Sequence, residues 1–396
     1  MDCPERVPSR ALREPFAIGF GYIVRRCLTD AAWHPHMMRM NEQRISSLTP
    51  IGEVLARAAA LARPVAPREM AMADAEGRVL AEDVAVKTPW PAAPTALQDG
   101  WAVRADVVAD AGPYAPVLLD PAPTWVDAGE ALPRDADAVL PLDAVTGAEV
   151  HASATASDGV LGAGADAAPG HLLRRAGEIL RAADVAALQA VGISRARVRE
   201  PRVRVVAMPG CDAVALAISR AVAAFGANVI FVRALERALA DEQTDIVITI
   251  GGTGAGRNDT SVATLRRIGE VAIHGFGIAP GETAALGSAK GHPVLMLPGR
   301  LDGALAAFLL VGEALLRSLT GAATSQAMPV TLARKIVSTI GLCEVVPVRC
   351  AVEGAAPLAS GYWPMQAIAH ADGWVMVPPE SEGFAAGTQL AMRALP

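Results

Sequence analysis

The chain has 396 residues, 35 basic against 41 acidic for a net charge of -6, and 52% apolar content. That length supports roughly two to four domains, each burying its own core, and excludes a small stapled fold; the acidic balance lacks the electrostatic footprint of a general nucleic-acid binder. Cys3, Cys27, Cys211, Cys343 and Cys350 show no C-x-x-C spacing, which argues against a disulfide framework or a zinc site and places the protein in a reducing cytoplasm.

The first 45 residues carry a short apolar patch between arginines with no small-residue cleavage site after it, and Met37, Met38 and Met40 offer later starts. This segment is expected to lie outside the fold, either disordered or ahead of the true start. From Pro50, "IGEVLARAAALARPV" places Ile51, Val54, Leu55 and Leu61 on one helical face. Residues 69–160 then alternate short β-rich runs with Pro, Gly and Asp clusters, and "LLRRAGEILRAADVAALQAVGI" reads as a return to helix, so 46–200 forms an N-terminal helical and β-rich region of two intertwined subdomains.

Between 201 and 322 the texture changes again. "VRVVAM", "NVIFV", "DIVITI" and "PVLMLP" are each followed by a helical pattern, which predicts a central three-layer α/β domain with a mostly parallel sheet. Residues 323–396 read as a small β-barrel module, making the whole a multidomain α/β plus β chain. The apolar run "ALAAFLLVGEALL" carries a charge and falls short of the roughly 18 residues of a span, so no membrane partner is expected.

In an open α/β sheet, ligands bind beyond the carboxyl ends of the strands. The three loops there are "PGCDA", "GGTGAGRND" and "GRLDG", each joining glycine, which lets backbone amides approach a ligand, to an aspartate: Asp212, Asp259 and Asp302. A phosphate on the amides with magnesium on a carboxylate suits such a rim; Asp259 and Asp302 also read as plain helix caps. Gly251, Gly252, Gly254 and Gly256 exceed what one turn requires, so with Thr253 and Arg257 they are candidate ligand contacts. A P-loop is excluded, since its lysine and hydroxyl are both missing. The dispersed histidines form no metal-binding pair. Cys211 reads either as an exposed thiol or as an inert buried one. Asp99 and Asp166 are loop aspartates by default.

The order of these pieces resembles the molybdopterin molybdenumtransferase family, the MoeA-type proteins that include the C-terminal domain of gephyrin. "QDGWAVRADVV" is similar to the family's M-D-G-Y-A-V-R, "DAGEALPRDADAVLPLD" to T-G-A-x-L-P-x-G-A-D-A-V-V-x-x-E, and "DIVITIGGTGAGRND" to D-V-V-I-x-S-G-G-V-S-V-G-x-x-D. "VLMLPGRLDGALAAF" corresponds to L-P-G-N-P-V-S-A, which brings Pro298, Gly299, Arg300 and Asp302 into the expected site.

The resemblance implies a homodimer that binds a small pterin ligand, molybdopterin, between the α/β domain of one subunit and a β domain of the other. It implies magnesium-dependent hydrolysis of adenylylated molybdopterin with insertion of molybdate, both being substrates. Asp99, Asp166, Asp212 and Asp259 match functional acidic positions, Asp212 only with a one-residue shift, and Asp259 is the magnesium candidate. The departures cluster in that site: Gly275, Ala279 and Glu282 stand where the family has lysines, and Ala128 replaces a threonine. Arg257 and Arg300 are new cations that either compensate or mark a different ligand. Two functions are therefore open: the enzyme, or a non-catalytic carrier that delivers the cofactor to a particular molybdoenzyme.

Overall fold

The computed structural model describes residues 43–324 and 327–396. Most of the N-terminal segment expected outside the fold lies outside the described residues. Its last three positions do not keep to that expectation, because Gln43 is buried in the protein interior.

The central sheet forms because its strands alternate faces and both faces find helices. Strands β1 (Arg202–Ala207), β2 (Asn228–Phe231), β3 (Ile246–Ile250), β4 (Glu270–His274), β5 (Ala285–Ala289) and β6 (His292–Leu297) assemble in the order β2-β1-β3-β6-β5-β4. On one face Ile246, Ile248, Ile250, Leu295 and Leu297 share a core with helices Asp212–Ala224 and Leu301–Thr320. On the other, Val206, Val247, Val294 and Met296 pack against Leu235–Ala240 and Ser261–Ile268. Three layers result, as the near-continuous apolar strands require.

The β1-β2, β1-β3 and β3-β6 pairings are parallel, whereas β6-β5 and β5-β4 are antiparallel. The repetition read from the sequence thus ends in an antiparallel edge. Strands β4 and β5 escaped the reading because "EVAIH" and "ALGSA" are less apolar than the four runs that were read.

Helix Ile51–Leu61 precedes the β-rich region in sequence but packs elsewhere. Its Val54 and Ala58 belong to the core of the α/β domain, each buried apolar side chain of valine size contributing about 1.5–3 kcal/mol. The stretch from 172 starts with a strand, Leu172–Arg174, and only Ala182–Ala190 is helical. Gly177 is the reason: its φ is +84°, and a Cβ there would sit 2.9 Å from the Gly321 carbonyl oxygen.

Helix Leu301–Thr320 is 20 residues long and apolar enough to cross a membrane, contrary to the short run read from sequence, yet 78% of its apolar window is buried inside the protein. Its composition is that of a core helix. The C-terminal strands Met328–Thr331, Cys343–Ala351, Gly373–Val377 and Gln389–Ala394 join a second sheet, completed by Ile278–Ala279 from the α/β domain. That short strand pairs in parallel with Cys343 and Glu344 and so ties the segment after β4 to the C-terminal module.

Candidate functional site

The carboxyl ends of β1, β3 and β6 open onto a cavity of about 850 Å³. Met208, Pro209 and Cys211 line it after β1; Gly251, Gly252, Thr253, Gly254 and Asp259 after β3; Pro298, Gly299, Arg300 and Asp302 after β6. The three rim loops predicted from sequence therefore converge on one site. Two further walls complete it: Pro280–Thr283, and Gly361 with Tyr362 from the C-terminal module.

The glycine loop owes its composition to specific close approaches. Gly251 (φ +91°) and Gly252 (φ +73°) occupy the left-handed region, and a Cβ on Gly252 would lie 2.3 Å from Ser261 Oγ. Gly254 and Gly256 leave room for the Asp259 carboxylate, whose Oδ2 would be 2.8 Å from a Cβ at either position. That oxygen accepts the Gly256 N–H at 2.7 Å. The glycines thus shape a loop around a carboxylate, beyond making a turn. Asp259 is not a cap on the following helix, whose N-cap residue is Thr260.

Thr253 is buried, its hydroxyl 3.2 Å from that of Thr283 across the cavity's edge. Its carbonyl receives a hydrogen bond from His274 Nε2 at 2.9 Å, which fixes the proton on that nitrogen because a carbonyl only accepts.

Asp302 is buried and serves Arg300. Its carboxylate takes Arg300 Nε at 3.1 Å and Nη2 at 2.5 Å, and also accepts the N–H groups of Gly303 and Trp363. This fork raises the Arg300 pKa, chiefly through the hydrogen bonds to Asp302. The guanidinium lies over the Tyr362 ring, 4.9 Å from its centroid, while 68% of the Arg300 side chain remains exposed. It is a held cation with donors left for a ligand.

Cys211 lies between loops, since Cβ atoms on Gly251 and Gly299 would approach its sulfur to 2.7 and 3.1 Å. Burial pushes its thiol pKa up, reinforced by Asp212 and Asp259. Of the two readings open from sequence, it is a half-buried thiol lining the cavity. The charged groups on the lining are Asp259, Glu282 and Asp302 against Arg300 alone.

Not every predicted residue gathers here. Asp212 opens its helix and is exposed, and its neighbour Cys211 lines the cavity instead. Gly256 and Arg257 are exposed and do not line the cavity. Asp99 and Asp166 are exposed in the β-rich region and line no part of this cavity. Asp99 does join two motifs, because its Oδ1 accepts the N–H of Ala128 at 2.8 Å. Sequence reasoning missed Tyr362 and Gln43, since neither sits in a glycine loop; a long-range contact is their only signature. Among the described residues, no group of three or more His, Cys, Asp or Glu side chains is arranged to hold a metal.

Comparisons with known proteins cover both halves of this architecture. The family model for the MoeA N-terminal region (domain I and II) matches residues 49–192, and that for a probable molybdopterin binding domain matches 212–318. A putative molybdopterin biosynthesis protein of Methanocaldococcus jannaschii is 23% identical over 367 residues, spanning 81% of this chain and 90% of that protein. Molybdopterin molybdenumtransferase 1 of Mycobacterium tuberculosis is 28% identical over 333 residues, covering 68% of this chain and 78% of that protein. The crystal structure of the molybdopterin biosynthesis MoeA protein from Pyrococcus horikoshii superposes with a TM-score of 0.67 at 26% identity, over 88% of this chain and all of that one.

Proposed function

The chain belongs to the molybdopterin molybdenumtransferase family as a divergent MoeA-type member, and from that premise we propose that its cavity binds adenylylated molybdopterin and releases AMP as molybdate is inserted. It acts in molybdenum cofactor biosynthesis. The observation that carries the reading is the convergence of three loops at the carboxyl ends of β1, β3 and β6 on one cavity. Backbone amides there are free of side-chain bulk, which suits a phosphate-bearing ligand.

Magnesium fits the residues present. Three lining carboxylates face one guanidinium, so a dianionic phosphate needs added positive charge to enter. Magnesium is commonly held by one or two carboxylates together with substrate phosphates, so a full protein cage is not required. Asp259 is the residue that would hold it, its Oδ2 oriented by the Gly256 amide. When bound, the ion would neutralise phosphate charge and polarise the phosphoryl group. Arg300, aimed by Asp302 and Tyr362, would contact the anion directly.

Asp99 and Asp166 support a homodimer. Both match functional positions of the family, yet neither reaches the cavity of its own chain, so a second copy would bring them to it. The cytoplasm is the compartment that fits the scattered cysteines. The carrier reading rests on the lost lysines; the relatives, named as transferases, favour the enzyme.

The test is incubation of the purified protein with adenylylated molybdopterin, magnesium and molybdate, following AMP by chromatography. Retained pterin binding without AMP release would leave the carrier and remove the enzyme. For the shared site, co-expressed Asp99→Ala and Asp259→Ala chains are expected to recover part of the activity that each variant lacks alone.

A further inference from the structure

Gln43 does not line the cavity but binds the glycine loop that does. Its exposure is 0%, although it is separated by more than 200 positions from everything it binds. Its side-chain nitrogen donates to Gly252 O at 3.0 Å and to Gly254 O at 3.1 Å, and its Oε1 accepts the Ala263 N–H at 2.7 Å. Two carbonyls and one N–H leave only one orientation for the amide, nitrogen toward the carbonyls.

Two of those partners, the Ala263 N–H and the Gly254 carbonyl, are groups that the local fold leaves in need, whereas the Gly252 carbonyl also accepts the Ser261 N–H at 3.1 Å. Ala263 is the third residue of helix Ser261–Ile268, one of the first-turn N–H groups without an intrahelical acceptor, and the Thr260 N-cap makes no side-chain capping bond. The Gly254 carbonyl lies in a loop beyond the end of β3, with no ladder to satisfy it. A primary amide is the one uncharged side chain that supplies two donors and an acceptor together. Glutamate lacks the donors, and lysine the acceptor.

We propose that Gln43 is a positioning residue for the ligand loop: it caps helix Ser261–Ile268 in place of Thr260 and clamps Gly252 and Gly254, so that loop and helix move as one body. Asp259 lies between the two anchored ends, so its placement in the cavity depends on this clamp. The clamp itself follows from the geometry alone; only its effect on affinity rests on the reading of the cavity as a molybdopterin site.

The experiment uses the full chain as wild type, Gln43→Ala and Gln43→Glu. Amide hydrogen exchange is expected to rise about tenfold or more across 251–263 in Gln43→Ala, while strand Cys343–Ala351 keeps its protection. Gln43→Glu preserves length and the acceptor, so Ala263 stays protected while residues 252–255 loosen. That split keeps the test informative should the alanine variant fold poorly. Unchanged exchange in both variants would overturn the clamp. In parallel, the dissociation constant for molybdopterin, measured by fluorescence below the melting transition of each variant, is expected to weaken about tenfold in Gln43→Ala. A loosened loop with no molybdopterin binding even in wild type would uphold the clamp and sink the functional reading. A loosened loop with wild-type affinity would overturn the positioning role.

Discussion

Two walls of one cavity differ in how they store their chemistry. The glycine-loop wall is shaped by its backbone: its amides and two left-handed glycines wrap the Asp259 carboxylate in close approaches in which no extra carbon fits. The wall Pro280–Thr283 carries its chemistry in the side chains of Glu282 and Thr283, and the resemblance to the family expects a lysine where Glu282 stands. Altering a shape built from backbone costs stability, whereas the charge at an exposed position such as Glu282 can change without disturbing the fold. Form and electrostatics of the site are therefore separable by mutation.

The largest expected effect tests the first wall. Asp259→Ala should lower AMP release at least about a hundredfold, the several kcal/mol carried by a metal at a phosphoryl group. Asp259→Asn sharpens the point, since it keeps an acceptor for Gly256 N–H and loses the charge. Equal loss in both variants would assign the effect to charge; activity near wild type in the asparagine variant would remove Asp259 from the magnesium role. Next comes Gly252→Ala, which places a β-carbon against Ser261 Oγ at a φ of +73°. We expect it to cost about 1–3 kcal/mol in chemical denaturation. A neutral result would mean that the wall is not held by backbone fit.

The second wall predicts a gain. Glu282→Lys reverses an exposed charge on the lining and restores the family's sign. It should tighten molybdopterin binding by about threefold to tenfold at low ionic strength, and the gain should shrink as salt screens it. If the substitution leaves affinity unchanged at every salt concentration, the lost lysines are irrelevant to this ligand.

The same contrast governs what the sequence made legible. The four parallel strands β1, β2, β3 and β6 and the three rim loops were readable because apolar runs and glycine clusters are local signals, and the cavity is where a parallel sheet must put it. The antiparallel edge was not, since "EVAIH" and "ALGSA" lack the apolar run that marks a strand buried on both faces. Gln43 and Tyr362 were beyond reach for a different reason. Each acts through long-range contacts, and a lone glutamine or tyrosine has no periodicity or spacing to betray it. Asp302 was visible as an aspartate near a helix start, but that it steadies Arg300 follows only from the bidentate geometry.

Cys211 tests the fit of the glycine loops themselves, since its side chain lies between Gly251 and Gly299. A cysteine at a helix N-terminus ordinarily has a lowered pKa, but burial here raises it, with Asp212 and Asp259 adding to the shift. The raised value means a smaller thiolate fraction at neutral pH and a reactivity that climbs only as the solution becomes alkaline. At about pH 7.5 we expect iodoacetamide to modify Cys211 at least about fivefold more slowly than the exposed Cys350. Cys343, buried and pushed up to about 11, should react only on unfolding. Peptide mapping resolves the sites, including Cys3 and Cys27. Once carboxamidomethylated, Cys211 carries added bulk between Gly251 and Gly299, so pterin binding should fall, and pterin bound beforehand should protect the thiol. Rapid labelling of Cys211 with binding intact would show that its sulfur does not face the ligand, and that the loops close less tightly around it than their glycines imply.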